Sequence, residues 1–266
     1  MQRDDFSFLT LIAIQAALKA GDILRRGFGT AYEITAKPGR QNFVTEHDKA
    51  SEASIISFIR ERFPSHHFLA EESGFSNQSE EGNILWIIDP LDGTTNFAHH
   101  LPLFTISIAA YQGKKGLCGV IYQPLSNELF VAERNQGAYL NGARLAVSQT
   151  DKIEECLIVA SLPYDLESVP ILDIEKLLKI SRRGATLRNF GSAALALAYV
   201  AAGKIDAFWM YNLYPWDLAA GQLLIEEAGG ILTSYENSQS VLYSPSNILA
   251  TNQTLHAPLR ECLLHS

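Results

Sequence analysis

Cysteine is scarce in this chain, and its few copies lie far apart. Cys118, Cys156 and Cys262 are odd in number and match neither a disulfide framework nor a zinc spacing, so they are expected to be reduced packing residues. Positive charge is also short: 21 Lys and Arg stand against 29 Asp and Glu, the net charge is −8, and no basic run occurs. That balance argues against direct nucleic-acid binding through a broad positive face. An anionic ligand must then meet positive charge recruited locally, and bound metal ions supply it most directly. No apolar run is long enough to span a bilayer, and Asp4 and Asp5 spoil the basic start of a signal peptide. The expected location is the cytoplasm, with no membrane partner. Internal repeats and low-complexity linkers are lacking too.

What is present is apolar. At 47% hydrophobic over 266 residues, the chain can build one large domain or two smaller ones that share a core. Phe6, Leu9, Ile12, Ala13, Ala16, Ala17, Ala20 and Leu24 recur at helical spacing and predict a helix over residues 5–28, stopped by Gly27 and Gly29. Residues 30–43 have no clean period and carry Pro38 and Gly39, which predicts an extended or mobile loop holding Lys37. Thr45 is the expected N-cap of a second helix with Asp48 three residues on, and Ala50, Ala53, Ile56, Ile59 and Phe63 are its expected buried stripe. A short strand at 67–70 leads into Glu71 and Glu72. From Leu103 to Tyr139 the pattern alternates, predicting an antiparallel meander that closes on an Asn-Gly turn at Asn141 and Gly142. Mixed helix and strand follow. The expected organisation is two closely packed halves, 1–150 and 151–266, forming one compact unit.

The stretch WIIDPLDGTTNF, residues 86–97, concentrates the candidate chemistry. Residues 84–88 read as a buried strand that delivers Asp89 to its carboxyl end, where Pro90 interrupts the ladder and Asp92 with Gly93 makes a turn. Carboxylates that share a small space repel unless a cation sits between them, and hard oxygen ligands suit Mg²⁺ better than zinc. Gly93, Thr94 and Thr95 offer backbone N–H groups at a helix start, a natural anion site. Taken alone, Asp-Pro and Asp-Gly are also ordinary turn formers. A third acid, Asp217, lies in the first turn of a helix begun by Pro215; it suits the helix dipole and would also complete a carboxylate cage.

The ordered segments VTEHDKASE, AEES, WIIDPLDGTTNF, FGSAALALAYVAAGKIDAFW and PWDLAAGQLLIEEAGG resemble the signature segments of the inositol monophosphatase family, the lithium-sensitive Mg²⁺-dependent phosphatases. The likeness runs from about residue 37 to 232. It implies an α/β fold, the layered αβαβα sandwich of the sugar phosphatase superfamily, commonly as a homodimer. By position, it implies that Glu71, Asp89 and the main-chain carbonyl of Leu91 hold one ion, and that Asp89, Asp92 and Asp217 hold a second, with a third weaker ion near Glu71. It further implies that Asp48 and Thr94 orient the attacking water, that Gly93 and Thr94 N–H groups cradle phosphate, and that Lys37 lies near the metals. Attack is then direct, by metal-activated water and without a phosphoenzyme.

Gly191, Ser192 and Ala193 match the segment that lines the inositol pocket. Met210, seven residues before Asp217, departs from the family pattern, which has a glutamate that accepts hydrogen bonds from ring hydroxyls. Three expectations therefore stay open: a small phosphomonoester substrate of the inositol 1-phosphate kind; histidinol phosphate, fructose 1,6-bisphosphate or 3′-phosphoadenosine 5′-phosphate; or a binding role with the transcription machinery, which bacterial members suggest.

Overall fold

The computed structural model describes residues 6–30, 34–36, 43–75, 83–160, 171–234 and 246–264. Its helices are α1 (Phe8–Gly27), α2 (Glu46–Arg60), α3 (Thr94–Ala98), α4 (Ile171–Arg182), α5 (Ala193–Ala201), α6 (Pro215–Glu227) and α7 (His256–Leu264). The first strands are β1 (Ile34–Ala36), β2 (Phe43–Thr45), β3 (His67–Ala70), β4 (Gly74–Phe75) and β5 (Ile84–Asp92). The meander is β6 (Thr105–Gln112), β7 (Lys115–Gln123), β8 (Glu128–Glu133), β9 (Gly137–Leu140) and β10 (Ala143–Arg144). The remaining strands are β11 (Leu157–Ala160), β12 (Thr186–Arg188), β13 (Ala207–Leu213), β14 (Ile231–Ser234) and β15 (Ser246–Thr251).

Two large sheets result, one in the order β10-β9-β8-β7-β6-β5-β3-β4 and the other β12-β11-β13-β15-β14. Side-chain alternation along β5 shows why five layers form. Trp86 and Ile88 pack with Ile12, Leu24, Ile55 and Ile59 of α1 and α2 on one face. Leu85 and Ile87 face the other way, into a cluster with Leu197 of α5 and Leu218, Leu223 and Leu224 of α6. That middle cluster also takes Phe208 and Ile248 of the second sheet, whose far face packs Trp209 and Leu249 against Ile180 of α4 and Leu259 of α7. The order is helices, sheet, helices, sheet, helices, which is the expected sandwich.

Three local findings depart from the sequence reading. Within the segment expected as an extended or mobile loop, Ile34–Ala36 is a strand that pairs antiparallel with Phe43–Thr45. The strand expected to end at Ile88 runs on to Asp92 through an irregularity. On α2, Ala50 and Ala53 are exposed, and the buried face is instead Asp48, Ser51, Glu52, Ile55 and Ile59. Thr45 and Asp48 do form the reciprocal capping box. The Asn141–Gly142 turn has positive φ at both residues, 49° and 83°, as a two-residue hairpin demands. The three cysteines are free and buried, and burial pushes the thiols of Cys118 and Cys156 up to about 12.

One core contact is pH-sensitive. The buried Trp86 indole donates to His66 Nδ1 at 3.0 Å, so that nitrogen must stay unprotonated. Burial, and then the charge of His67, lowers the His66 pKa. The folded state thus holds this proton less well than the unfolded chain. Its stabilisation is full above the ordinary histidine value, about 6.5, and is lost as pH falls through the lowered folded value. Thermal scans should show a melting temperature that drops below about pH 6.5, with a shallower drop in His66→Gln, whose amide oxygen still accepts. Equal slopes would remove His66 from the cause.

Candidate metal centre

The irregularity in β5 is what makes a site. Asp89 pairs with Ser107 and Asp92 with Thr105, so three steps on β5 match two on β6. In a regular strand residues three apart point to opposite faces; one extra residue in the ladder turns Asp92 to the side Asp89 occupies. Pro90, which has no N–H to donate, sits within the bulge. The third acid arrives from another layer. Helix α6 lies tight on the sheet because Gly119 of β7 has no side chain: a Cβ there would stand 2.9 Å from the Ala220 carbonyl oxygen. Ser107 Oγ donates to the Trp216 carbonyl at 3.2 Å and fastens the start of α6 to β6. Asp89, Asp92 and Asp217 consequently each offer a carboxylate oxygen within 4.8 Å of the others.

Each carboxylate is aimed by backbone. Leu91 N–H donates to Asp89 Oδ1 at 3.0 Å. Tyr214 N–H donates to Asp217 Oδ2 at 2.7 Å at the start of α6. Asp92 is held by the start of α5: Ala193 N–H donates to Oδ1 at 3.2 Å, Ala194 N–H to Oδ2 at 2.8 Å, and the Ser192 hydroxyl to Oδ2. Asp89 is 1% exposed and Asp92 9%, so neither charge is well solvated. Burial pushes Asp89 well above the usual carboxylate range, and the charges of Glu71, Asp92 and Asp217 push it further. Burial also raises Asp92, against the lowering effect of Ser192, Ala194, Ala193 and Thr105. Asp217 is raised well above its ordinary value by burial first and the Asp92 charge next. Two buried acids and one half-buried acid, crowded together with only oxygen donors to offer, are a donor set a hard divalent cation fits.

The two acid-tipped strands are neighbours, since β3 runs parallel to β5 with Ala70 opposite Ile88. Glu71 and Glu72 follow β3 in a turn. The Glu71 charge acts on Asp89 and Asp217, whereas that of Glu72 acts on Asp48. Glu71 is not within the 4.8 Å group itself. Thr94 Oγ1 lies 3.0 Å from Asp48 Oδ1 and 3.1 Å from the Leu91 carbonyl, so its single proton can serve either acceptor. Gly93 is left-handed, with φ 101°, and begins α3. Gly191, also at positive φ, packs so closely that a Cβ would meet the Asn96 amide at 2.9 Å. Met210 sits on β13, partly buried against the cluster between the sheets. Lys37 lies outside the described residues. His99 and His100 are exposed and do not join the acids. The sequence reading missed Ser51, Glu52 and Thr105; for the first two, the polar spacing 48, 51, 52 on one helix was the available signal.

A five-layer α/β fold gathers three acids from a bulged strand end and a helix start into a group that could hold a metal ion. The chain belongs to the inositol monophosphatase family, whose profile matches residues 5–265. It is 41% identical over 242 residues to Nus factor SuhB of Escherichia coli strain K12, covering 91% of this chain and 90% of that protein. It is 38% identical over 253 residues to an inositol-1-monophosphatase of Caulobacter vibrioides, covering 94% and 98%. The crystal structure of extragenic suppressor protein suhB from Bartonella henselae superposes with a TM-score of 0.92 at 37% identity, covering 98% of this chain and 100% of that one. No described helix is long and apolar enough to cross a membrane.

Proposed function

We propose that the protein is a Mg²⁺-dependent phosphomonoesterase that hydrolyses inositol 1-phosphate or a related small polyol or sugar phosphate by direct attack of water. The observation that carries this reading is the convergence of Asp89, Asp92 and Asp217 oxygens within 4.8 Å, where burial raises the proton affinity of all three and the Asp92 charge adds to it at Asp89 and Asp217. These three would hold Mg²⁺, two to three ions in all, with Glu71 and the Leu91 carbonyl as further ligands. The bound ions would supply charge neutralisation at the phosphate and acidify water. Asp48, fixed by Thr45, orients the Thr94 hydroxyl, and that pair would take up and place the nucleophile's proton. Gly93 and Thr94 N–H groups, with Lys37, would meet the phosphate oxygens. The working form would be a cytoplasmic homodimer, sensitive to lithium as the family resemblance implies.

Met210 argues for a broadened leaving group. A thioether accepts hydrogen bonds weakly, and loss of a charge-assisted bond to a ring hydroxyl costs roughly 1.5 to 3 kcal/mol, or about 10- to 150-fold in preference. Met210→Glu is therefore expected to raise the preference for inositol 1-phosphate over other phosphomonoesters, read as a ratio of kcat/KM; an unaltered ratio would remove Met210 from the pocket. The function is tested by Mg²⁺-dependent phosphate release from inositol 1-phosphate, histidinol phosphate, fructose 1,6-bisphosphate and 3′-phosphoadenosine 5′-phosphate. A second reading, a partner role in the transcription machinery, rests on the relatives bearing the name Nus factor. Silence across the panel would favour it.

A further inference from the structure

Helix α2 buries a polar stripe where an amphipathic helix ordinarily buries apolar residues. Asp48, Ser51 and Glu52 are spaced i, i+3 and i+4, so they share one face, and they are 0%, 0% and 5% exposed. Burying a carboxylate in that position is costly unless it is bonded to something that needs it. Each of the three reaches a different segment of the metal centre. Asp48 receives the Thr94 hydroxyl. Ser51 Oγ donates at 2.8 Å to the carbonyl of Pro90, the residue inside the β5 bulge. Glu52 Oε2 accepts the backbone N–H of Glu72 at 2.9 Å. That last bond bears directly on Glu71, because the preceding N–H, its own, donates to the Ile88 carbonyl at 3.1 Å. The peptide on one side of Glu71 is thus tied to β5, and the peptide on the other side to α2. With both flanking peptides held, the backbone of Glu71, whose charge acts on Asp89 and Asp217, has little freedom left.

We infer that Glu52 is a positioning residue for the metal centre: its carboxylate oxygen anchors the Glu72 peptide, which fixes the direction of Glu71, while Ser51 on the same helix face anchors the bulge that carries Asp89 and Asp92. The inference rests on the proposed metal-binding role of those acids. It assigns to Glu52 a hydrogen-bond acceptor's task at a set reach, with no contact to the ion. Two conservative variants separate that task from a contribution of charge. Glu52→Gln keeps the reach and an acceptor oxygen but loses the charge, whereas Glu52→Asp keeps the charge but is one methylene too short.

The test is direct Mn²⁺ binding to the metal-stripped full chain, followed by isothermal titration calorimetry and by the electron paramagnetic resonance signal of free Mn²⁺. Both are readable without turnover. Removing an outer support of a ligand ordinarily weakens metal affinity about 10- to 100-fold, so Glu52→Asp is expected to lose that much while Glu52→Gln stays within about threefold of wild type. Thermal scans on the same samples verify that both variants fold. Equal affinity in wild type and Glu52→Asp overturns the inference, and so does a loss in Glu52→Gln larger than in Glu52→Asp, which would make charge the cause. Absence of Mn²⁺ binding in the wild type would instead sink the metal-centre reading itself, before any variant is compared.

Discussion

Asp92→Asn is expected to abolish Mg²⁺-dependent phosphate release while leaving the protein folded. The carboxylate it replaces accepts from Ser192, Ala193 and Ala194 and lies beside the buried Asp89 and the half-buried Asp217. An asparagine whose oxygen takes the Oδ2 position keeps the bonds from Ser192 and Ala194. Its NH₂ then faces the Ala193 N–H, a donor set against a donor. Against that loss stands the relief of like-charge repulsion, since the Asp92 charge raises both Asp89 and Asp217. The two effects oppose each other, each on the order of 1 kcal/mol, so the melting temperature of the metal-free protein should change little. The chemistry has no such compensation. Metal ions at a phosphoryl centre supply several kcal/mol, and a weakened cage should cost on the order of a thousandfold in rate. Phosphate release against Mg²⁺ concentration, alongside calorimetric Mg²⁺ binding, checks both halves; unchanged turnover would refute the cage as drawn.

Gly93→Ala should damage stability and activity together. Gly93 has φ 101° and ψ 36°, where an L-residue is strained. An added Cβ would lie 2.8 Å from the Leu103 carbonyl oxygen, 3.2 Å from Phe104 Cβ and 3.3 Å from the Gly191 carbonyl oxygen. Two of these neighbours are main chain and cannot swing aside. Strain and clash together should cost about 3 kcal/mol, which in a chain of this size lowers the melting temperature by about 5 °C. If the protein relieves the clash by moving the turn, Asp92 and Thr94 move with it. A displacement near 1 Å at a reacting centre costs on the order of a hundredfold. Assays well below the melting temperature separate the two losses. An alanine variant with wild-type melting and turnover would show that this turn does not set the geometry.

How far the residues alone could be read differs from segment to segment. The apolar run of β5, the alternating meander, the Asn141–Gly142 turn and the Thr45 cap are all legible, because each is written in neighbouring residues with a local physical cause. That β3 and β5 could lie side by side was suggested by the acids at the end of each, but the parallel direction of the pairing is visible only in the structure. Legibility fails where a residue's environment comes from elsewhere in the chain. Ala50 and Ala53 look buried by composition, yet they face solvent, because the side of α2 turned to the strand ends carries Asp48, Ser51 and Glu52. Ser192 and Ala193 bond Asp92, a hundred residues away in the chain.

By itself, then, the order of amino acids determined most of the elements and turns, since periodicity and turn chemistry are local properties, while the layered architecture and the set of candidate acids followed from the resemblance of five ordered segments to a known family. Tertiary structure alone decided that Asp89 and Asp92 point the same way, because the inserted residue in the ladder is defined only against β6. It alone brought Asp217 across from the second part of the chain, through the close packing of α6 on Gly119. Burial and crowding of charge, the properties that make three ordinary aspartates a candidate cation site, exist only once distant segments share a volume largely closed to water.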